Sequence, residues 1–177
     1  MPRYRVLLYI LIGVCFGILD WHIPNITIFL FPQTAWGHPM VSNLSLLWVY
    51  LLWLVPAIPV AIYETQTSLN LWKAGTAVVI TWLCGLAGYY LYYAYLLAFV
   101  GLNQMEHLLL SAPHDALFWQ DWRNTFQSLL LGQWLEWTPI AVVGGGVVGV
   151  TTGWLYQRLW QHGQQHTIAP TRTERLS

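Results

Sequence analysis

Residues 134–154 read WLEWTPIAVVGGGVVGVTTGW, and this stretch decides the fold. Tryptophans frame an apolar run that holds one carboxylate, Glu136, near its start. Because tryptophan side chains collect at membrane–water interfaces, this framing is typical of a transmembrane helix. Glycines recur at every fourth position, which places them on one face of that helix: Gly145, Gly149 and Gly153. The stretch predicts a membrane helix that packs closely against a second helix.

The composition extends this prediction to the whole chain. Of the 177 residues, 56% are hydrophobic and only 8% are charged, whereas soluble domains have about 25% charged residues. So few charges cannot cover the surface of a soluble fold of this length, which implies that lipid solvates much of it. The formal net charge of +0 argues against a nucleic-acid partner. We predict an integral membrane protein whose first partner is the lipid bilayer.

Four apolar segments are long enough to cross a bilayer core of about 30 Å, which needs about 20 helical residues. We predict an all-α, polytopic membrane protein with a single domain over residues 1–160 and a polar cytoplasmic tail at 161–177. The two longer connectors, which follow spans 1 and 3, are expected to carry short interfacial helices. A short polar loop, Glu64–Asn70, is expected after span 2. The four predicted transmembrane helices cover approximately residues 6–23, 44–63, 72–100 and 126–159.

The basic residues predict the orientation in the membrane. With four spans, only Arg123 lies on the side opposite to the N-terminus. The other six basic residues share the N-terminal side: Arg3, Arg5, Lys73, Arg158, Arg172 and Arg175. Because basic residues accumulate on the cytoplasmic side, both termini are predicted to be cytoplasmic, in a plasma or inner membrane. Both longer connectors then lie on the outer side.

The outer side also gathers the residue types that carry chemistry. Imidazole and carboxylate groups transfer protons near neutral pH, so the candidate catalytic residues are Asp20, His107, His114, Asp115 and Glu136. The same groups bind zinc and other divalent ions, and weak candidates for such a site are His22, His107, His114 and Asp115. Apart from such an ion, the sequence indicates no cofactor. The alternative is that all of these side chains are solvated at the level of the lipid headgroups.

Asp20 and Glu136 differ from the other candidates because they adjoin apolar spans. A carboxylate within the hydrocarbon costs several kcal/mol unless it is protonated, paired or near water. Either both carboxylates reach water at the interface, or one or both face the bundle interior and bind a proton, a cation or a histidine. Asp20 is the stronger interior candidate, because it follows Gly13 and Gly17 on roughly the same helix face.

Gly13 and Gly17 form a second face of small residues, on span 1. Small residues let two helix backbones approach closely in lipid, where dispersion and Cα–H contacts hold them together. We predict that this face packs against the glycines of span 4 within one chain. The alternative is that a glycine face forms a homo-oligomer or binds a membrane protein partner.

Tyrosines crowd the end of span 3, at positions 89, 90, 92, 93 and 95. The simplest interpretation is a belt of aromatic residues at the membrane interface. The alternative is that part of this tyrosine cluster lines a pocket for a ring-bearing or lipid-like ligand.

Three classes of function follow from these features. The first is an accessory or assembly component that acts through helix packing, which the glycine faces and the lack of a P-loop, G-x-S-x-G or H-E-x-x-H motif favour. The second is a membrane-embedded enzyme with an outer-face His/Asp/Glu site, with or without a metal, for a lipid-like substrate. The third is a subunit of a proton- or cation-coupled transporter in which Asp20 or Glu136 carries the ion.

Overall fold

The structure is a computed structural model that describes residues 1–23, 47–48, 50–102, 105–111 and 113–167, the last seven as backbone. Within these ranges the regular structure is entirely helical, which confirms the all-α prediction for this part of the chain. The helices are α1 (Arg3–Asp20), α2 (Leu54–Ser68), α3 (Leu71–Tyr95), α4 (Phe118–Thr125) and α5 (Gln133–Thr167). Two π-helical segments extend them, Leu96–Val100 after α3 and Phe126–Gly132 between α4 and α5.

Two helical stretches are long and apolar enough to cross a membrane. They are Leu71–Val100, with 30 residues, and Phe118–Trp160, with 43 residues. By length and composition these stretches coincide with the predicted third and fourth spans. The predicted first span corresponds to α1. The later part of the predicted second span corresponds to α2.

The turn between α2 and α3 is shorter than predicted. α2 continues to Ser68, so most of the segment predicted as a polar loop is helical. Leu69 ends α2 in a left-handed conformation with φ of 52°. The side chain of Asn70 then caps α3 by accepting hydrogen bonds from two backbone N–H groups, those of Trp72 and Lys73. A helix cap and a left-handed residue thus join the two helices directly.

The two longer connectors match the prediction only in part. The connector over residues 24–43 lies outside the described residues. In the second connector, Glu106–Leu108 forms a short 3-10 helix. The expected interfacial helix is α4, but it runs on through a π-helical segment into α5. At the other end, α5 reaches Thr167 and so includes the start of the predicted tail.

α3 is the centre of the bundle, because α1 packs along one side of it and α5 along another. α1 runs parallel to α3, since Gly13 lies against Thr81 while Gly17 lies further along, against Gly85. α5 runs antiparallel to α3, and α2 packs against both of these helices. The core combines small residues with large aromatic ones, among them Tyr9, Ala57, Ala77, Val78, Trp82 and Tyr90.

The glycine faces of α1 and α5 both pack against α3, so the prediction that they pack against each other is wrong. A Cβ on Gly17 would overlap the carbonyl oxygen of Gly85. A Cβ on Gly149 would lie 2.7 Å from the Cα of Gly75. A glycine face in the sequence indicates that another helix can pack closely against it, but it does not indicate which helix that is. α3 carries its own glycines on both sides and therefore accommodates both neighbours.

The bundle is apolar outside and partly polar inside. Large hydrophobic side chains such as Leu7 (64%) and Val143 (66%) are exposed on the outer faces of α1 and α5. In contrast, the buried residues of the described part include four polar ones: Asp20, Glu64, Thr65 and Thr81. Charged side chains are almost never fully buried unless paired, so the two buried carboxylates stand out in an otherwise apolar interior.

Candidate functional site

A cavity of about 520 Å³ opens near the end of the bundle where α1 finishes and α5 begins. Binding sites for small molecules typically have volumes of about 300–1,000 Å³ and are mostly apolar. The lining fits that description, because six of its residues are aromatic: Tyr50, Trp53, Trp82, Tyr89, Tyr90 and Trp137. The other lining residues are Asp20, Ile23, Leu86, Gln133, Ile140, Ala141 and Gly144. Among the described lining residues, Asp20 is the charged one.

Close contact between α1 and α3 places Asp20 in the cavity wall. The buried residues of α1 are Tyr9, Gly13, Gly17 and Asp20, which lie three or four residues apart on one face. This is the face that the spacing of Gly13, Gly17 and Asp20 predicts. Because Gly17 has no side chain, α1 lies directly on the backbone of Gly85 and Tyr89. Asp20, one turn further, is therefore only 9% exposed.

The carboxylate of Asp20 accepts no hydrogen bond from any described residue. Its oxygens are not among the fully enclosed polar atoms without a partner, which in the described part of the chain are Thr65 Oγ1 and Trp134 Nε1. The Asp20 oxygens are thus buried from solvent but reachable from the cavity. A buried carboxylate without a partner is unfavourable unless it is protonated or meets water, so the carboxylate of Asp20 is available to a group that enters the cavity.

Two tryptophans fix the opposite wall of the cavity. The Nε1 of Trp82, on α3, donates a hydrogen bond of 3.0 Å to the carbonyl oxygen of Trp53. Their rings meet edge to face, with centroids 5.7 Å apart, which is a favourable arrangement for two aromatic side chains. Gly144 leaves room for this wall, because a Cβ there would lie 3.1 Å from the ring of Trp82.

Some of the tyrosines at the end of α3 line the cavity, and others lie outside it. Tyr89 and Tyr90 line the cavity, with their ring centroids 5.2 Å apart. Tyr93 packs against Trp21, with centroids 4.5 Å apart. Tyr95 is exposed. The pocket alternative therefore applies to two of the five tyrosines.

The other candidate site residues lie on the surface and are not among the described residues that line the cavity. Glu136 is exposed, although Gln133 and Trp137 beside it line the cavity. His22 is exposed, with its Nε2 3.3 Å from the hydroxyl of Tyr92. His107 is an exposed residue of the 3-10 helix.

His114 and Asp115 have local roles before α4. The exposed ring of His114 stacks on Phe118, with centroids 3.7 Å apart. The Oδ1 of Asp115 accepts a hydrogen bond of 3.0 Å from the backbone N–H of Leu117. Among the residues that the structure describes, no three His, Cys, Asp or Glu side chains come together as metal ligands. His38, another histidine, lies outside the described residues.

The sequence reasoning missed a second carboxylate, Glu64, which is fully buried at the opposite end of the bundle. Its Oε2 accepts a hydrogen bond of 2.5 Å from the hydroxyl of Tyr9 and pairs with Nη1 of Arg5 at 3.3 Å. The same Nη1 donates to the hydroxyl of Thr67 at 2.7 Å. A useful signal was present, because Arg5 and Tyr9 are four residues apart and so share a helix face.

The two buried carboxylates thus differ in their surroundings. Glu64 has a cation and a hydroxyl from the same chain, so its cluster is complete and ties α1 to α2. Among the residues that the structure describes, Asp20 has neither, and it lines a cavity. The cavity beside Asp20 is therefore the candidate functional site.

No protein-family model, curated protein or solved structure matches this chain. Function is therefore inferred from the cavity and its lining residues alone.

Proposed function

We propose that this chain is a four-span membrane protein that binds a lipid-like small molecule in the cavity beside Asp20. The observation that carries the proposal is the cavity itself, about 520 Å³ in volume and lined mainly by aromatic and aliphatic side chains. Such a lining favours a ligand with a large apolar surface, because burial of that surface drives binding.

Several features support the membrane setting. Two helical stretches have the length and composition to cross a bilayer. Exposed apolar side chains also cover the outer faces of α1 and α5, and large apolar surfaces on a soluble monomer are rare. In the proposed arrangement the four spans are α1, α3, α5 and the predicted second span, whose later part is α2.

The basic residues support the orientation. Both termini are cytoplasmic in this proposal, in a plasma or inner membrane, because six of the seven basic residues are then on that side. The Arg5–Glu64 pair then lies toward the cytoplasm and the cavity toward the outer side. Tyr50 and Trp137 flank the cavity mouth there, since both line the cavity and are partly exposed. Aromatic side chains with a polar group are suited to the headgroup level.

Binding is proposed rather than catalysis because, of the candidate catalytic residues, only Asp20 lines the cavity. An acid–base mechanism would require a second group within reach of the ligand. The accessory-component hypothesis stays a prediction. The glycine faces that favoured it are occupied by α3 within this chain, so they offer no free surface to a partner.

Photo-crosslinking tests the proposal. A long-chain alcohol that carries a diazirine is added to membranes containing the protein, and the crosslinked residues are mapped by mass spectrometry. We expect adducts on lining residues such as Leu86 and Tyr90, and we expect excess unlabelled alcohol to suppress them. Even labelling of all exposed apolar faces, unaffected by the competitor, would contradict the proposal.

Two matched tryptophan variants on α5 refine this experiment. Ala141→Trp adds bulk at a cavity-lining position, whereas Val143→Trp adds it on the exposed face of the same helix. We expect Ala141→Trp to lower labelling of the cavity residues several-fold. Labelling in Val143→Trp should equal that of the unmodified protein.

A further inference from the structure

We infer that the cavity selects a cationic amphiphile, with an ammonium group held by the carboxylate of Asp20 and an apolar chain held by the aromatic lining. This inference rests on the proposed binding function, and it adds the chemical class of the ligand. Three independent features of the site lead to a positively charged group.

The first feature is the unpaired carboxylate. Asp20 is 9% exposed, lines the cavity, and accepts no hydrogen bond from the described residues. A carboxylate that is removed from water without a partner destabilises the protein, whereas a cation delivered by a ligand restores the lost interactions. An anionic ligand would be repelled at this position.

The second feature is the lack of a competing cation from the chain. The lining residues in the described part include no Lys, Arg or His. Residues 24–46, which follow α1, contain no Lys or Arg and a single His, His38. Arg5 is paired with Glu64 at the other end of α1. The imidazole of His22, two residues after Asp20, is exposed and has its Nε2 3.3 Å from the hydroxyl of Tyr92. Among the described residues, no cationic side chain thus lines the cavity beside Asp20.

The third feature is the electrostatic character of the surroundings. Asp20 is the last residue of α1, and the carbonyl groups at a helix C-terminus carry partial negative charge that favours cations. Tyr89 and Tyr90, from α3, border the same cavity. Aromatic faces attract ammonium groups by cation–π interaction, and quaternary ammonium ligands are commonly recognised in this way.

The test compares three diazirine probes with the same chain length, a primary amine, an alcohol and a carboxylic acid, at equal concentration in the membrane. In the unmodified protein we expect the amine to label the cavity residues about tenfold more efficiently than the alcohol. The acid should label them least. A long-chain trimethylammonium competitor should suppress labelling by the amine.

Two variants assign this preference to Asp20. Asp20→Asn removes the charge at nearly constant size, and we expect it to abolish the preference for the amine while the alcohol still labels the cavity. Glu136→Gln is the matched control, because it removes an exposed carboxylate near the same end of the bundle. It should retain the preference, as should Asp20→Glu.

The outcomes separate the two proposals. Equal labelling by amine and alcohol, or an amine preference that survives in Asp20→Asn, would overturn the cationic assignment while cavity binding stands. An equal loss of preference in Glu136→Gln would also overturn it, since general surface charge would then explain the result. Failure of all probes to label the cavity in a competable manner would overturn the proposed binding function itself.

Discussion

The hydroxyl of Tyr9 lies 2.5 Å from Oε2 of Glu64, and both residues are fully buried between α1 and α2. Asp20, eleven residues further along α1, is buried at the other end, and no described residue donates a hydrogen bond to it. One helix thus contributes to two buried carboxylate environments with opposite consequences. The environment of Glu64 is complete and holds helices together. The environment of Asp20 contains no such partner among the described residues, and Asp20 lines the cavity in which we propose that a ligand binds.

We expect Tyr9→Phe to destabilise the bundle. The substitution removes the hydroxyl that donates to Glu64 and leaves a buried carboxylate with fewer hydrogen bonds. Hydrogen bonds to charged groups contribute about 1.5–3 kcal/mol, so the free energy of unfolding should fall by about that amount. Unfolding by SDS in mixed micelles, followed by circular dichroism, measures the change.

Tyr63→Phe is the control, because it removes a partly exposed hydroxyl from α2. We expect its free energy of unfolding to be unchanged. If Tyr9→Phe were as stable as this control, the hydrogen bond to Glu64 would not hold α1 and α2 together.

We expect two alanine substitutions on α5 to have opposite effects. In Gly149→Ala, the new Cβ would lie 2.7 Å from the carbonyl oxygen of Ala74, so α5 must move away from α3. Overpacking of this kind costs about 1–3 kcal/mol. In Gly146→Ala the nearest atom is 3.9 Å away, in Val79, and replacing a helical glycine by alanine stabilises by about 0.5–1 kcal/mol.

The same SDS unfolding assay compares the two variants with the unmodified protein. Gly149→Ala should unfold at a lower SDS fraction and Gly146→Ala at an equal or higher one. Two variants of equal stability would show that α3 and α5 are not in the close contact described above.

The course of the helices was largely predictable from the sequence, whereas their pairing was not. Long apolar segments specify where helices form, because about 20 such residues are needed to span a bilayer. The repeat of Gly145, Gly149 and Gly153 likewise specifies a packing face. Which helix packs against this face depends on which other helix also carries small side chains on its facing surface. α3 provides Gly75 and Gly85, but its single glycines are less conspicuous in the sequence than a regular repeat.

The two buried carboxylates show that the site, too, could be predicted from the sequence only in part. Asp20 was predictable as an interior residue because it continues the spacing of Gly13 and Gly17. Glu64 was assigned to a loop because it follows a long apolar run and precedes polar residues. Its burial depends on Arg5 and Tyr9 of another helix, so only the tertiary arrangement reveals it. The cavity depends in the same way on four separated segments of the chain.

We expect the two ends of α3 to lie on opposite sides of the membrane, which the labelling of introduced cysteines can show. In a background that lacks Cys15 and Cys84, Ser68→Cys marks the end near Glu64 and Ser111→Cys marks the connector beyond Val100. An impermeant maleimide should label Ser111→Cys in intact cells, but Ser68→Cys only after permeabilisation. This pattern follows from the distribution of basic residues. Labelling of both positions in intact cells would contradict the proposed four-span orientation.

We expect Trp82→Phe to weaken both the fold and the cavity wall. The substitution removes the Nε1 donor that bonds the carbonyl oxygen of Trp53 at 3.0 Å. A hydrogen bond of this type contributes about 0.5–1.5 kcal/mol to the free energy of unfolding. Because Trp53 and Trp82 form one wall of the cavity, labelling by the alcohol probe should also fall. Trp72→Phe serves as the control, since that indole is 81% exposed. If Trp82→Phe lowered stability while cavity labelling stayed unchanged, the bond would hold the helices together without shaping the binding site.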